Sequence, residues 1–385
     1  MASNREDPKL TDQPAVDEEE DVSGIAPRPI KPWDPKQIRI TTKNYTLREV
    51  FSQLEEGELD LAPDFQRSFV WHAKQQIRLI ESILLGIPLP AFYFNLDSSG
   101  GMQVVDGVQR LTTVKRFMSD ELRLSEDDLE YLHDFAGDTF SNLDSATRRR
   151  FQSTQIVAHV IEPQTPDEVK YDIFNRVNTG GSPLKAQEIR HCMSKSRSRD
   201  FLRELVEGHN FNEATQYAFW NKTKTERRNH RMSDRELALR FCAFRTVSID
   251  EYSEATSLDS FLLEFTRRID SPASDINLRR LATLFDRSMI NCEKILGDAA
   301  FRRWLPGPER RRGPINRAVF ESQALALSRY PLERLLPFKK EILESFRELF
   351  NDPIYDSAVR SATGDPKRVQ LRLEIPRDLL RKVVT

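Results

Sequence analysis

The sequence predicts an α+β protein, with a small mixed domain at residues 37–194 followed by an all-helical domain at residues 195–385. Two observations lead to this prediction. Short apolar runs of strand length, bounded by Gly, Pro, Asn and Asp, are concentrated in the first part of the chain, and few strand signals follow residue 195. After residue 195, apolar and aromatic residues recur at helical spacing. A chain of 385 residues is long enough for two such domains.

The first 36 residues are predicted to be a disordered acidic tail. They are rich in Pro and acidic residues, with an unbroken acidic run at 17–21. Such a segment has too little apolar surface to form a core. Simple solvation accounts for this composition; mimicry of nucleic-acid charge or an autoinhibitory arm is the alternative.

Helices come first in the mixed domain. Thr46 and Glu49 have the spacing of a capping box, which predicts a short helix starting there. Residues 73–85 carry apolar positions at helical spacing, and the Gly-Ile-Pro-Leu-Pro run at 86–90 ends that helix.

Strands follow. Residues 91–96 and 102–105 are predicted to pair as a hairpin through the Gly-rich turn at 97–101. A further strand is predicted at 155–161, and a helix begins at 165–168. We expect the loops of this domain to converge on one cleft.

Asp106 and Gly107 stand where the second hairpin strand gives way to a helix. The N-terminus of a helix has unpaired N–H groups and a partial positive charge, both of which favour a bound anion. Gln109 and Arg110 fall in its first turn, and a guanidinium suits phosphate oxygens. These residues predict a phosphate site; an Asp N-cap followed by a solvated Arg is the alternative.

A second candidate element runs from Phe174 to Leu184 through a Gly-Gly turn. Its glycines, Gly180 and Gly181, permit the close backbone approach that wraps N–H groups around an anion. Ser182 then has the character of an N-cap residue. An ordinary connection between two helices is the alternative interpretation.

Together with an upstream segment at 63–71, these elements resemble the N-terminal domain family of GmrSD-type restriction endonucleases. Three marks occur in the family's order. They are Gln66-Arg67 followed by an aromatic residue and Val-Trp, the Asp-Gly-x-Gln-Arg-Leu-Thr-Thr box at 106–113, and a third box made by Phe174, Arg176, Asn178, Gly181, Leu184 and Glu188. A weaker likeness at 231–241 extends the resemblance over roughly residues 40–245.

The resemblance implies a fold similar to the ParB and sulfiredoxin domains, which bind nucleotides. Characterised members of the family couple nucleotide hydrolysis to cleavage of foreign or modified DNA. The expected function is therefore a protein that binds and hydrolyses a nucleoside triphosphate (NTP) and acts on or senses DNA in restriction or anti-phage defence. It would be either an NTP hydrolase or an NTP-driven nicking factor. The expected cofactor is an NTP with Mg²⁺ or another divalent cation, and the expected partners are a nucleotide and DNA.

The resemblance also suggests roles for single residues. Asp106 would coordinate Mg²⁺ or polarise water, and Gln109 would orient that water. Arg110, Arg67 and Arg176 would clamp phosphates. Glu188 would supply a second metal carboxylate. The cofactor-binding candidates are Gln66, Arg67, Gly107, Thr113, Arg176, Asn178, Thr179, Gly180 and Gly181.

Val108 departs from the family box, which has Gln at this place. On a helix Val108 shares a face with Leu111 and Met118, so we expect it to extend the buried stripe. Loss of the Gln leaves open a second function, a catalytically degenerate adaptor that binds nucleotide or DNA and recruits a separately encoded nuclease. Many restriction members carry an HNH nuclease domain, to which His209, Asn221 and His230 show only a faint likeness.

Composition adds expectations about location and partners. Cys192, Cys242 and Cys292 lie far apart without metal spacing, so ordinary thiols in a reducing compartment are expected. The sequence has neither a membrane-spanning run nor a signal-peptide pattern, which predicts a cytoplasmic protein without a membrane partner. A net charge of −2 does not exclude DNA, because charge distribution decides binding. Basic clusters at 148–150, 227–231 and 310–312 are candidate DNA contacts, and homo-oligomerisation is left open.

Overall fold

The computed structural model describes residues 16, 34–61, 71–97, 100–177, 185–221, 223–225, 227, 231–304, 313–361 and 363–384. The chain forms two compact units, Lys31–Lys185 and Ala186–Thr385, and Val16 belongs to the second. Apart from Val16 and residues 34–36, the predicted acidic tail lies outside the described residues. Val16 is buried and pairs with Ile315 in an isolated bridge.

A five-stranded mixed sheet forms the centre of the first unit. The strands are β1 (Ile40–Thr46), β2 (Leu59–Asp60), β3 (Phe92–Leu96), β4 (Met102–Asp106) and β5 (Gln155–Ile161). Their order in the sheet is β1-β5-β3-β4-β2. β1 pairs with β5 and β3 with β4 in antiparallel fashion, whereas β3 with β5 and β2 with β4 are parallel. The predicted hairpin and the predicted strand at 155–161 are thus confirmed.

Five helices accompany this sheet in the described part of the first unit. They are α1 (Leu47–Glu56), α2 (Ala73–Leu84), α3 (Val108–Met118), α4 (Ser145–Ser153) and α5 (Asp167–Val177). The capping box at Thr46 and Glu49 is present, with reciprocal side-chain and backbone hydrogen bonds. Helix residues such as Ile80 and Leu111 join Phe92, Phe94 and other strand residues in one apolar core.

Helices make up the second unit. They are α6 (Ala186–Met193), α7 (Ser196–Glu207), α8 (His209–Ala214), α9 (Ser233–Thr246), α10 (Ile249–Glu254), α11 (Leu258–Asp270), α12 (Leu278–Asn291), α13 (Arg317–Leu327), α14 (Leu332–Leu335), α15 (Lys339–Glu348), α16 (Pro353–Arg360) and α17 (Pro366–Val383). Within the described residues, its β-pairing is confined to the isolated bridges Val16–Ile315 and Trp220–Arg227. The α+β class is therefore confirmed. Helix α13 buries all of its residues, as expected of a helix at the centre of a core.

A network of buried charges lies within the second unit. Arg240 contacts Glu236 on its own helix at 2.7 Å and Glu321 on α13 at 3.0 Å. Glu321 also accepts a 2.8 Å hydrogen bond from Nε of Arg372 on α17. Burial alone would raise the pKa of Glu236, but the charges of Arg240, Arg317 and Arg190 outweigh it and lower that pKa to about 2. The network thus joins α9, α13 and α17 through charges that satisfy one another.

The three cysteines are buried thiols without disulfide bonds, as expected. Burial raises the pKa of Cys242 and Cys292, which suppresses the reactive thiolate form. Among the described residues, no helix is both long enough and apolar enough to cross a lipid bilayer.

Candidate functional site

The strand-to-helix junction of the first unit lies at the end of β4. Asp106 is the last strand residue, and its pairing partner is Tyr93 of β3. The register of this pair shifts between Tyr93 and Phe94, an irregularity that re-aims side chains at a strand end. Gly107 then turns the chain at φ +101°, a left-handed conformation that favours glycine, and α3 begins at Val108. The N-cap is Gly107 and no side chain caps the helix, so the alternative of an Asp N-cap is wrong.

Arg110 folds back from the first turn of α3 onto the segment that leads into β3. Its Nη2 donates to Asp106 Oδ2 at 2.9 Å and to the Ala91 carbonyl at 3.2 Å, and its Nη1 donates to the Pro90 carbonyl. Its guanidinium carbon lies 4.1 Å from the centre of the Phe92 ring. The side chains of Arg110 and Asp106 are only 12% and 28% exposed. Arg110 is therefore not the solvated residue of the alternative interpretation, because it holds Asp106 in place.

The contact between Gly107 and Phe92 explains why a glycine is needed here. A Cβ atom on residue 107 would lie 2.2 Å from Cδ1 of Phe92 and 3.3 Å from Nη2 of Arg110. Both the left-handed backbone and the close approach of the ring exclude a side chain. The sequence alone indicated the turn but not the ring beneath it.

Electrostatics at the junction act on Asp106 in opposite directions. Burial raises the pKa of Asp106, whereas the Arg110 charge and hydrogen bonds from Gly107 and Arg110 lower it. The pKa of Asp106 ends above its ordinary value because burial prevails. Burial also lowers the pKa of Arg110, against the opposing effect of Asp106. The attraction between Asp106 and Arg110 thus offsets only part of the free-energy cost of removing their charges from water.

Gln109 connects the junction to the upstream family segment. Its Oε1 accepts a hydrogen bond from the Trp71 N–H at 3.3 Å. The Trp71 carbonyl in turn accepts from Nε2 of Gln76 at 3.0 Å, and Gln76 Oε1 accepts from Arg116 of α3 at 2.7 Å. The first and second family boxes are therefore hydrogen-bonded to each other. Gln76 was missed by sequence reasoning, since a single Gln within an amphipathic helix carries no signal.

Two other residues of the box are oriented into the domain. Thr113 has no exposed surface and donates from Oγ1 to the Gln109 carbonyl at 2.8 Å. A ligand could reach Thr113 only if the helix moved. Val108 is half-buried and packs against the core, as its place on the Leu111 face predicted.

The third family box is described only in part. Arg176 is an exposed residue near the end of α5, a helix that contacts β4. Gln66, Arg67, Asn178, Thr179, Gly180 and Gly181 lie outside the described residues. Their predicted roles therefore stay predictions.

Glu188, the predicted second metal carboxylate, lies on α6 of the second unit. Arg231 holds its carboxylate, with Nη2 2.6 Å and Nε 3.1 Å from Oε2. Their side chains are 7% and 27% exposed. In the described part of the chain, no three His, Cys, Asp or Glu residues are grouped so that they could hold a metal ion. A structural ion pair accounts for the position of Glu188.

The remaining sequence candidates are scattered. Arg227 of the 227–231 basic cluster is paired with Asp234 and donates to the Val206 carbonyl, while residues 310–312 lie outside the described part. Asn221 accepts hydrogen bonds from Thr223 and Thr225 of its own loop. Exposed His209 is described, but His230 is not. The described residues thus give the faint HNH likeness no support.

The first unit is thus an α+β domain with a mixed sheet. Asp106, Gln109 and Arg110 form a candidate site where β4 ends and α3 begins, called the strand-end site below. Residues 47–195 match the family described as GmrSD restriction endonuclease, N-terminal domain. The segment from α1 to the end of α6 is therefore a domain of this family. A comparison with curated proteins finds no match for the chain.

Proposed function

We propose that the N-terminal domain binds and hydrolyses a nucleoside triphosphate, and that the protein acts on or senses DNA in restriction or anti-phage defence. One observation carries the nucleotide part: Asp106, Gln109 and Arg110 lie together at the start of α3, where no side chain caps the helix. Arg110 is hydrogen-bonded to Asp106, and the Trp71 N–H donates to Gln109. The description of the matching family supports the defence part.

The donors at the junction fit a magnesium–phosphate group. Mg²⁺ prefers hard oxygen ligands and is bound by one or two carboxylates together with substrate phosphates. Asp106 would be such a ligand, since its carboxylate is oriented by Arg110. A bound Mg²⁺ would neutralise charge that develops on the phosphates. The N–H groups and partial positive charge at the start of α3 favour a phosphate oxygen.

Arg110 fits the role of a positioning residue better than that of a phosphate clamp. A guanidinium has five N–H donors, and three of those on Arg110 are used by Asp106, Ala91 and Pro90. The clamp would then come from residues such as Arg176, which is exposed on α5. Gln109, oriented by the Trp71 N–H, would position the attacking water.

A second candidate is the degenerate adaptor. The specific observation in its favour is Val108, whose side chain packs against the core where the family box has a Gln. If that Gln is required for turnover, nucleotide binding would survive without hydrolysis. The protein would then recruit a separately encoded nuclease.

Phosphate release from each of the four NTPs with Mg²⁺ tests these alternatives. The full chain is compared with Asp106→Asn, Val108→Gln and, as a matched control on the same helix, Lys115→Gln. Lys115 forms a partly exposed pair with Glu55, so its loss should cost well under about 1 kcal/mol. Hydrolysis by the wild type and by Lys115→Gln, but not by Asp106→Asn, would support the enzyme.

Binding must be measured alongside hydrolysis. Nucleotide binding by the wild type without phosphate release, together with hydrolysis by Val108→Gln, would support the adaptor. No binding of any NTP by a folded wild-type chain would contradict both the hydrolase and the nucleotide-binding form of the adaptor.

A further inference from the structure

A small cavity in the second unit is lined by arginines. It lies where the end of α9 meets the segment after α13, has a volume of ≈ 250 Å³, and includes Arg245 and Arg329 among apolar residues such as Phe244 and Leu325. Pockets for drug-sized ligands span about 300–1,000 Å³. The cavity therefore suits a phosphate-sized group rather than a whole nucleotide.

Arg245 and Arg329 have no acceptor for their guanidiniums within the part of the chain that the structure describes. Nε of Arg245 is buried and makes no hydrogen bond. No ion pair or hydrogen bond joins the guanidinium of Arg245 or Arg329 to any described residue. Buried polar groups in folded proteins are nearly always satisfied by protein, water or a ligand. Arg240 and Arg372 of the same unit, by contrast, contact carboxylates.

Two further arginines add to the positive charge. Arg280 and Arg287 are exposed on α12 and lie seven residues apart, so they share one face of the helix. Burial first, and then the charges of Arg329, Arg280 and Arg287, lower the pKa of Arg245. The strongest charges acting on Arg245 are thus all of its own sign. Arg245 is half-buried and the other three arginines are exposed. Their like charges therefore remain accessible to an anion, which would reduce the repulsion among them.

We propose that Arg245, Arg329, Arg280 and Arg287 form a phosphate-binding site that takes the backbone of duplex DNA. Four positive charges exceed what one free phosphate needs. Seven helical residues span about 10 Å along the axis, close to three steps of about 3.4 Å along one DNA strand. The site would place one phosphate in the cavity and neighbouring phosphates along α12.

This inference deepens the DNA-directed part of the proposed function and rests on it, but it uses none of the residues of the strand-end site. Substitution here should leave hydrolysis without DNA unchanged. The two claims can therefore fail separately.

The test is binding of fluorescein-labelled duplex DNA to the full chain by anisotropy over a salt series. The variants are Arg245→Gln with Arg329→Gln, and Arg280→Gln with Arg287→Gln. For every DNA phosphate that a variant no longer neutralises, the slope of log K against log salt should become shallower by about 0.9. We expect each double variant to bind at least about tenfold more weakly at low salt. Arg279→Gln is the matched control, since Arg279 is exposed beside Arg280 and is not among the charges acting on Arg245.

Thermal unfolding separates binding from folding. Removing like charges should leave the melting temperature of the Arg245 variant unchanged or higher. The α12 variant changes only exposed residues, so it gives a second measurement that does not depend on the half-buried Arg245. Wild-type DNA binding that neither double variant weakens would overturn the site while leaving the DNA-directed function intact.

A measurement with inorganic phosphate shows whether the site takes the DNA backbone or free phosphate. If the wild type binds no DNA but phosphate raises its melting temperature, and Arg245→Gln abolishes that rise, the phosphate site is supported and DNA as its source is overturned. Absence of both effects overturns the site altogether.

Discussion

Gly107 and Phe92 approach each other so closely that no side chain fits between them, since a Cβ on Gly107 would lie 2.2 Å from Cδ1 of the ring. The same ring lies beneath the guanidinium of Arg110. The turn, the ring and the Asp106–Arg110 pair thus form one packing unit. Any side chain at 107 should disturb the pair as well as the backbone.

Gly107→Ala tests this relationship. Placing Ala in a left-handed conformation costs about 1–2 kcal/mol, and overpacking adds typically about 1–3 kcal/mol. Gly86→Ala is the matched control, because Gly86 has φ +80° with nothing within 4 Å of the added Cβ. In urea unfolding of the full chain, the free energy of unfolding should be lower for Gly107→Ala than for Gly86→Ala, because only Gly107→Ala carries the cost of overpacking against Phe92. Equal destabilisation of the two variants would show that the ring moves aside freely.

Asp106→Asn should separate stability from activity. The pKa of Asp106 is raised, so its ionised form is disfavoured by folding, and this carboxyl removes stability as pH rises from its unfolded pKa through its folded pKa. Asn keeps an acceptor for Arg110 while avoiding the burial of charge. We expect the melting temperature at pH 7 to stay within about 2 °C of the wild type while hydrolysis is lost. A large drop in melting temperature would instead make Asp106 a structural residue.

The raised pKa of Asp106 also predicts the acid limb of hydrolysis. The limb should lie above the pH expected for an ordinary aspartate, because metal binding requires the carboxylate. Arg110→Gln removes a charge that lowers the pKa of Asp106, so the limb should move to still higher pH. Initial rates from pH 4 to 8 for both proteins check this. A limb that does not move would mean that another group titrates.

Substitution of Glu188 tests whether this residue is a metal ligand or a member of a structural ion pair. Its carboxylate is 2.6 Å from Nη2 of Arg231 and nearly buried. Removing one partner of a buried pair costs about 3–5 kcal/mol, so Glu188→Gln should be less stable with an unchanged Mg²⁺ requirement. Mg²⁺ titrations of hydrolysis, together with urea unfolding, measure both properties. A raised Mg²⁺ requirement without loss of stability would restore the metal role.

Local features of the fold were predictable from the sequence, whereas the partners of the site residues were not. The capping box at Thr46 and the hairpin before Asp106 depend on neighbours in the chain, so their patterns can be read directly. Arg110 instead donates hydrogen bonds to the carbonyls of Pro90 and Ala91. Every residue has a backbone carbonyl, so such acceptors cannot be recognised from the sequence.

Charge clusters illustrate the same limit. The sequence marks Arg227 and Arg231 as a candidate DNA contact, yet they pair with Asp234 and Glu188. Arg245 and Arg329 stand far apart in the chain and carry no motif, but the fold brings both to one cavity. Whether an arginine is paired depends on tertiary contacts that spacing does not encode.

Glu236 should govern the acid stability of the helical unit. Its pKa falls from 4.5 to about 2 in the folded chain, because three guanidinium charges outweigh the effect of burial. A depressed pKa gives stability that is present above the unfolded value and lost as pH falls through the folded value. The shift corresponds to about 3 kcal/mol, lost between about pH 4.5 and pH 2.

Glu236→Gln removes this contribution and leaves Arg190, Arg240 and Arg317 without one of their counter-charges. We expect a loss of about 3–5 kcal/mol at pH 7, with a flatter dependence of the free energy of unfolding on pH below 4.5. Glu264→Gln is the control, since Glu264 is exposed and pairs with Arg267 on the same helix, α11. Urea unfolding followed by helical circular dichroism at pH 7, 5, 4 and 3 gives the comparison. Parallel pH profiles for the wild type and Glu236→Gln would mean that Glu236 does not carry the acid sensitivity, and that another carboxylate of the network does.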